Sequence, residues 1–390
     1  AQVDGVLARR QPGSTIKPFV YALAFEKRLI TPASLLDDSP AQIATSSGLY
    51  LPQNYDREFK GWVSARTALG ASLNVPAVRV GAMLGPDALF ARLNAFGLAL
   101  SESGGYHGQA LALGSADVTL LTLTNAYRTL ANGGLASAPL LRGAPAAPVS
   151  PRRVADASAV HLVADILADN GARARTFGLA SALATRGFAA VKTGTSKDLR
   201  DNWCVGFTDR YTVGVWVGNA SGEPMHEVSG VSGAAPVWHT LVARLHEGRP
   251  SRSPMRPAGV VVSHVAFESH REAPRDEVFI AGTEQARQRD SSQLAPQRAF
   301  GITSPRDGSR YALDPDIPPA AQSIRFEGER GTWVLDGRRV GQGASLAWAP
   351  WPGRHELSLI GLGGRVLQTV RFEVRGAGVR SAAVRRESGP

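Results

Sequence analysis

Lysine is nearly absent from this strongly basic chain. Of its 43 lysines and arginines only five are lysines, Lys17, Lys27, Lys60, Lys192 and Lys197, which leaves 38 arginines (43 minus 5). Arginine stays charged at any working pH, whereas a desolvated lysine can lose its proton and act as a base, so the few lysines are the residues to examine first. A single cysteine, Cys204, excludes an intrachain disulfide and leaves the redox compartment open. It sits in the apolar run Asn202-Trp203-Cys204-Val205-Gly206-Phe207 and reads as a buried, inert thiol. No stretch approaches the roughly eighteen apolar residues of a membrane span, and no signal peptide opens the chain. His107, His161, His226 and His239 share no metal-ligand spacing, so no metal and no other cofactor is implied. There is no zinc-finger spacing and no basic cluster interleaved with aromatics. The arginines are dispersed apart from Arg375 to Arg386, so nucleic acid is not the expected partner.

What is present suits folded domains. At 390 residues with 43% apolar and 19% charged residues, the chain can bury two or three cores. A net charge of +10 fits an anionic polymer such as a cell wall, or an anionic membrane face. The first residues, Ala1-Gln2-Val3-Asp4-Gly5-Val6, carry no methionine and run straight into the first motif, as in a fragment whose N-terminal part has been removed.

The pattern predicts one helix over 14–30, a loop over Thr31 to Lys60, and several short helices over Trp62 to Leu98, broken at Asn74-Val75-Pro76 and Gly85-Pro86. Gly104 to Gly108 reads as loop. Further helices are expected over Val118 to Leu130 and over Ala155 to Ala168, the second capped by Asp156. After Gly187 the character turns β, with Phe188 to Val191 and a hairpin of Asn202–Thr208 and Tyr211–Val217, before a helix over Ala234 to Leu245. A helical block followed by a strand–hairpin–helix unit means α/β or α+β. Beyond the polar stretch Gln285 to Gln297, short β runs at Ser323–Glu327, Gly331–Leu335, Arg354–Ile360 and Val366–Val374, with turns at Asp336-Gly337 and Gly361-Leu362-Gly363-Gly364, suggest a β-sandwich. Trp333, Trp348 and Trp351 there are read as core rather than as a binding face.

Three short motifs occur once each, in order. Ser14-x-x-Lys17 places serine and lysine on one helix face, with Pro12-Gly13 turning the chain so that Ser14 opens the helix. Ser72-Leu73-Asn74 follows after 58 residues (72 minus 14), and Lys192-Thr193-Gly194-Thr195 after another 120 (192 minus 72). Each is weak alone: Ser72 and Asn74 could be turn residues before Pro76, and Lys192 a solvated strand end. Together they supply acyl transfer. Ser14 is the nucleophile, Lys17 its base, and the Ser72 hydroxyl a relay to the departing amine. Asn74 can hold Lys17 and a substrate amide. Lys192 offers charge to a substrate carboxylate and favours neutral Lys17. Gly194 lets a substrate backbone lie along the strand, the amides of Ser14 and Thr195 form an oxyanion hole, and the Thr193 and Thr195 hydroxyls bind the carboxylate.

The ordered triplet is that of serine β-lactamases and penicillin-binding proteins. The chain resembles the transpeptidase domain of class A penicillin-binding proteins, and within them the 1C subfamily. The likeness extends through Arg10-Gln11-Pro12-Gly13-Ser14, Leu51-Pro52-Gln53-Asn54-Tyr55-Asp56, Ser72 to Val78, Ala112 to Thr119, Asn125-Ala126-Tyr127-Arg128, Lys192 to Asp198 and Val215 to Asn219. The resemblance implies a β-lactamase/transpeptidase-like α/β fold, a helical block plus an antiparallel sheet flanked by helices, followed by a small all-β sandwich. The implied division is a transpeptidase domain over 1–284, a linker over 285–299, the β-sandwich over 300–376 and a disordered basic tail over 377–390. It also implies a D,D-transpeptidase that acts on peptidoglycan stem peptides and is acylated by β-lactams. The implied location is the periplasmic side of the inner membrane, anchored by a helix absent from this chain, with a role in cell shape. The family's glycosyltransferase part and the sheet strands that precede Ser14 are missing, and the C-terminal domain is a candidate docking site for cell-wall synthesis proteins. Two other readings use the same residues. A carboxypeptidase or β-lactamase would pass the acyl group to water, although Glu223 and Glu227 read as surface residues and no glutamate is spaced to activate it. A non-catalytic penicillin-binding sensor or scaffold would acylate without turnover.

Overall fold

The computed structural model describes residues 3–375 apart from 41–42, 46–47, 51–53, 55–57, 141–149, 179–180, 197–198, 269–270, 290–300, 306, 313–322 and 362. Most of the expected linker at 285–299 and all of the expected tail at 377–390 lie outside the described residues, as do Leu51, Pro52, Gln53, Tyr55, Asp56, Lys197, Asp198 and Leu362. Two compact units result, one of Ala1–Ala41 with Pro52–Asp290 and one of Gln42–Leu51 with Ser291–Pro390.

In the first unit the Pro12-Gly13 turn opens a single 3₁₀ turn, Gly13–Ile16, which runs directly into helix α1, Lys17–Glu26. The helix is shorter than the 14–30 expected, because Arg28 takes a positive φ of 55° that stops it. Every residue from Lys17 to Phe25 is buried, so α1 threads the core instead of lying on it. Phe19 meets Phe96 and Tyr127 edge to face at 4.9 and 5.5 Å between ring centres.

The segment read as loop over Thr31 to Lys60 contains short strands. β1, Leu35–Asp38, pairs antiparallel with β4, Gly61–Ser64, while β2, Ile43–Thr45, and β3, Gly48–Tyr50, make a hairpin grouped with the second unit. Runs of three or four residues leave too little alternation to be read from sequence. The helical block continues with α2 (Ala65–Gly70), α3 (Asn74–Leu84), α4 (Pro86–Ala95), the single turn α5 (Gly104–His107), α6 (Leu120–Ala131), α7 (Ala157–Ala168) and α8 (Asn170–Phe177). Its boundaries follow local chemistry. Ser64 caps α2, Thr119 and Thr122 form a capping box on α6, and Asp156 accepts from the amides of Ser158 and Ala159 to start α7.

Past the two-residue pair β5 (Leu135–Ala136) and β6 (Arg152–Arg153) comes the sheet that carries the third motif. β7 (Ala190–Thr195), β8 (Asp201–Phe207) and β9 (Thr212–Gly218) are antiparallel in that order, and β8 is buried along its whole length. Alternation explains why. Trp203, Val205 and Phe207 join the core of the helical block, and Cys204 joins a second core with Trp238 and Val242 of α9, Ala235–Leu245. Cys204 is thus the buried thiol expected.

Three strands here were not expected: β10 (Val260–Phe267), β11 (Arg275–Ile280) and β12 (Arg287–Gln288). The valine-rich run Val260-Val261-Val262 was the available signal. A buried ion cluster ties β11 to the helices. Arg66 of α2 donates through Nε to both carboxylate oxygens of Glu277, at 3.0 and 2.9 Å, and through Nη1 to Asp169 at 3.0 Å.

The second unit holds β13 (Ile302–Ser304), β14 (Arg310–Ala312), β15 (Ile324–Leu335), β16 (Arg338–Trp348), β17 (Gly353–Ile360) and β18 (Val366–Arg375) in one sheet, ordered β13-β15-β17-β18-β14, with β16 on the other edge of β15. The two runs read as separate strands form the single β15, irregular between Glu327 and Gly331. From β16 to β18 is three strand spacings, about 14 Å in a flat sheet. Yet the rings of Trp348 and Phe372 lie 5.8 Å apart. The sandwich is therefore one sheet folded over on itself. Trp333 and Trp348 are core residues, while Trp351 is half exposed. Among the described residues no helix is long and apolar enough to cross a membrane.

Candidate active site

The three motifs converge in the first unit. Ser14 lies in the 3₁₀ turn and Lys17 starts α1, so the two share a helical face one turn apart. Ser72 and Leu73 link α2 to α3, and Asn74 is the first residue of α3. Lys192 to Thr195 make up most of β7. Ser14, Ser72, Asn74 and Thr195 are partly exposed, whereas Lys17, Lys192, Thr193 and Gly194 are buried.

Lys17 is 0% exposed, with its nitrogen held by the second motif. Nζ donates to the Ser72 carbonyl oxygen at 2.6 Å and to Asn74 Oδ1 at 2.6 Å, with Ser72 Oγ at 3.4 Å. A neutral amine has two N–H groups and one lone pair; the two carbonyl oxygens take both hydrogens and leave the lone pair to accept a proton. Burial holds Lys17 well below the usual lysine range. Lys192 pushes in the same direction, and Asp38 pulls the other way. Ser72 adopts φ 63°, a left-handed conformation that costs a non-glycine residue about 1–3 kcal/mol and is expected at functional sites.

Lys192 Nζ donates to Ser72 Oγ at 2.7 Å and to the Thr193 carbonyl at 3.0 Å. Burial brings its affinity for a proton down to about 7, with Cys204 raising it and Arg173 lowering it. The Ser72 hydroxyl thus sits between two lysine nitrogens, where it can take a proton on one side as it gives one on the other.

Gly194 is glycine for a reason different from the one expected. A Cβ there would stand 2.3 Å from the Pro12 carbonyl oxygen and 2.8 Å from Thr15 Cγ2, so the strand packs directly against the Ser14 turn. Gly13 has φ 54°, and its Cβ would lie 2.4 Å from the Thr195 carbonyl oxygen and 3.1 Å from the Thr195 nitrogen. Gly13, next to Ser14 in the chain, thus lies directly against the Thr195 backbone. Alternation along β7 puts Lys192 and Gly194 on one face and Thr193 and Thr195 on the other. Thr195 Oγ1 accepts from the Gly230 amide at 3.0 Å, which leaves the hydroxyl hydrogen to be donated elsewhere.

Sequence reasoning missed the supports. The Tyr127 hydroxyl donates to the Thr15 carbonyl at 2.8 Å, and Trp203 Nε1 donates to the Gln11 carbonyl at 2.8 Å; both bonds fix the Ser14 turn. Asp201 accepts from Ser196 Oγ at 3.1 Å and Trp216 Nε1 at 3.1 Å and faces Arg10 at 3.7 Å, joining the end of β7 to the segment before Ser14. Apart from Ser196 and Asp201 these partners are far apart in sequence, and the resemblance, which covers Arg10, Gln11, Tyr127, Ser196 and Trp216, paired none of them. Among the described residues no group of three or more His, Cys, Asp or Glu side chains could hold a metal ion.

Both units match known protein families. The profile of the penicillin-binding protein transpeptidase domain matches residues 4–237, and that of the penicillin-binding protein C-terminus family matches residues 289–372. The chain is 38% identical over 240 residues to penicillin-binding protein 1C of Escherichia coli, covering 61% of this chain and 30% of that one. It is 31% identical over 282 residues to penicillin-binding protein 1A of Neisseria lactamica, covering 66% and 34%. It thus spans about a third of the length of these curated relatives. The crystal structure of penicillin-binding protein 1A from Haemophilus influenzae superposes with a TM-score of 0.64 at 25% identity, covering 73% of this chain and 50% of that one. PonA1 of Mycobacterium tuberculosis in complex with penicillin V has the same fold, with a TM-score of 0.54 at 24% identity, covering 66% of this chain and 74% of that one.

Proposed function

The chain belongs to the penicillin-binding protein transpeptidase family, and from that premise we propose that it is a serine D,D-transpeptidase that cross-links peptidoglycan stem peptides. The observation that carries this reading is the buried, doubly bonded Lys17 nitrogen one helical turn from Ser14. Lys17 takes the Ser14 proton as Oγ attacks the carbonyl of the penultimate D-alanine. The backbone amides of Ser14 and Thr195 hold the oxyanion. The proton passes from Lys17 through the Ser72 hydroxyl to the departing amine, the peptide C–N bond breaks, and terminal D-alanine leaves. An amine of a second stem then attacks the ester, gives its proton back along the same path, and regenerates Ser14 as the cross-link forms. Asn74 steadies the donor amide, and Lys192 with Thr193 and Thr195 receives its terminal carboxylate. β7 pairs only with β8 among the described residues, so its outer edge can take an extended peptide as an added strand.

β-Lactams would enter the same path and acylate Ser14. Glu223 and Glu227 are exposed on the segment after β9, which supports transfer to an amine over hydrolysis. The natural site of action would be the periplasmic face of the inner membrane, where the polymer lies, with a contribution to cell shape. Docking of other cell-wall synthesis proteins is a task for the second unit that rests on its architecture alone.

The test is a reaction of the chain with a stem peptide ending in D-Ala-D-Ala and a second stem bearing a side-chain amine. A cross-linked product and one released D-alanine per link are expected, with neither from Ser14→Ala. Release of D-alanine without any cross-link would convert the reading to a carboxypeptidase.

A further inference from the structure

Helix α8 carries a buried cation that the reaction above does not use. Arg173 is 3% exposed, and among the described residues it alone has two buried side-chain polar atoms, Nε and Nη1, that make no hydrogen bond. Its guanidinium makes one bond, from Nη2 to Asn170 Oδ1, an amide oxygen that brings no charge. One turn further along the same helix face, Thr176 Oγ1 is also buried and without a partner. It makes no back-bond to the carbonyl four residues earlier, the usual outlet for a threonine inside a helix.

A buried guanidinium needs acceptors for its N–H groups and a charge to balance its own. Burial brings the proton affinity of Arg173 down to about 10, which leaves it cationic at neutral pH, while Asp169 and Cys204 act in the other direction. Neither of those two supplies the missing partner. Asp169 gives Oδ1 to the amides of Gly171 and Ala172, at 2.8 and 3.1 Å, and Oδ2 to Arg66 Nη1 at 3.0 Å. Cys204 is an uncharged thiol, because burial pushes its proton affinity far up. Water would satisfy the N–H groups but not the charge. A peptide carboxylate would have to bring its chain to a residue closed off from solvent. A small monovalent anion meets both needs.

We infer that α8 carries a binding site for a small monovalent anion of the chloride class, held by the Arg173 guanidinium and the Thr176 hydroxyl. The site backs the second motif. A Cβ on Gly70, the last residue of α2, would stand 2.7 Å from Ala172 Cβ and 3.1 Å from the Ala172 carbonyl oxygen. The backbone beside Arg173 therefore rests against the helix end from which Ala71 leads to Ser72. The ion completes the charge balance of the helix on which the Ser72 turn leans.

The test reads binding on the parent chain and on Arg173→Met, which keeps the length of the stem and removes the charge. Melting temperature is followed as sodium chloride replaces sodium gluconate at constant ionic strength, so that screening stays fixed and the competing anion is too large for the site. The parent should melt at a higher temperature as chloride rises, by mass action on the folded state, and Arg173→Met should not respond. A second readout needs no variant to fold. Crystals of the parent grown in sodium bromide should show an anomalous peak within hydrogen-bonding reach of Arg173 Nε or Nη1. A parent indifferent to chloride, a folded Arg173→Met that responds as the parent does, or crystals with water alone beside Arg173 would each overturn the inference. None of these readouts passes through Ser14. A chain that binds the halide and takes no acyl group would therefore uphold this site and overturn the reading of Ser14 and Lys17.

Discussion

Lys192 Nζ donates to Ser72 Oγ at 2.7 Å, while Lys17 Nζ stands 3.4 Å from the same oxygen. A single hydroxyl therefore connects the lysine nitrogen on α1 to that on β7, and in the proposed reaction a proton lifted from Ser14 would pass through it toward the leaving amine. Ser72→Ala removes the route but leaves the Ser72 carbonyl bond to Lys17 in place. Acylation by a β-lactam should fall about 10²- to 10⁴-fold, the usual range for a proton-transfer group. Stopped-flow acylation rates check this; a loss below fivefold would remove Ser72 from the relay.

The two lysines should divide the pH profile. Lys17 works as a base only when neutral, so acylation declines as pH falls through its lowered range. Lys192 is cationic below about 7 and neutral above it, so attraction for a substrate carboxylate fades on the alkaline side. A β-lactam with an ionised carboxylate should show an alkaline loss of acylation efficiency beginning near that value, in the binding constant rather than in the limiting rate. The corresponding methyl ester should lack that limb. Equal profiles for acid and ester would mean that Lys192 does not read the carboxylate.

The same lowered affinity has a stability consequence. The unfolded chain binds protons at Lys17 and Lys192 that the folded chain sheds, so stability rises with pH from about 7 toward the ordinary lysine value near 10.4. Lys192→Met should remove that cost and stabilise the unit by ~0.5–2 kcal/mol at pH 6, while acylation collapses. Thermal melts at pH 6 and pH 9 check the sign: the gain should shrink at the higher pH.

Gly194→Ala puts a methyl group 2.3 Å from the Pro12 carbonyl oxygen, where only backbone can give way. The expected result is a chain that still folds and a Ser14 turn displaced from Thr195. Acylation should slow by about a hundredfold or more, the scale of a roughly 1 Å misplacement. Unchanged acylation would show that the turn and the strand are not rigidly coupled.

The Arg66 cluster predicts a purely structural effect. Glu277→Leu takes from Arg66, only 7% exposed, its one fully buried carboxylate partner and leaves it the more exposed Asp165 and Asp169, so the loss should approach the about 3–5 kcal/mol of a broken buried ion pair. The melting temperature should drop accordingly, while the acylation rate per folded molecule holds. An undiminished melting temperature would mean that β11 is not held to the helices through Arg66.

The residues that converge at the candidate site were legible because they are compressed into short motifs at fixed offsets. Ser14 and Lys17 are one helical turn apart, Ser72 and Asn74 flank one residue, and the β run ends in Lys192 to Thr195. The order of the motifs also carried the fold. The supports were not legible, because a buried bond such as Asn54 to Asp38, or Arg66 to Glu277, joins residues 16 or 211 apart and has no local pattern. Gly194 shows a subtler failure: the need for glycine was visible, but the neighbour that imposes it, Pro12, was not. Strands β1 to β3 were too short to show alternation. β16 was hidden for another reason: the run from Arg338 to Trp348 contains two glycines and two arginines and is mostly exposed.

The most direct test of the account is the intact mass of the chain after exposure to a β-lactam, beside that of Ser14→Ala. The account predicts one adduct of the antibiotic's mass on the parent, none on the variant, and persistence of the adduct over hours. An adduct on both chains would place the nucleophile elsewhere. No adduct on a parent chain shown to be folded would contradict the assembled Ser14–Lys17–Ser72 site.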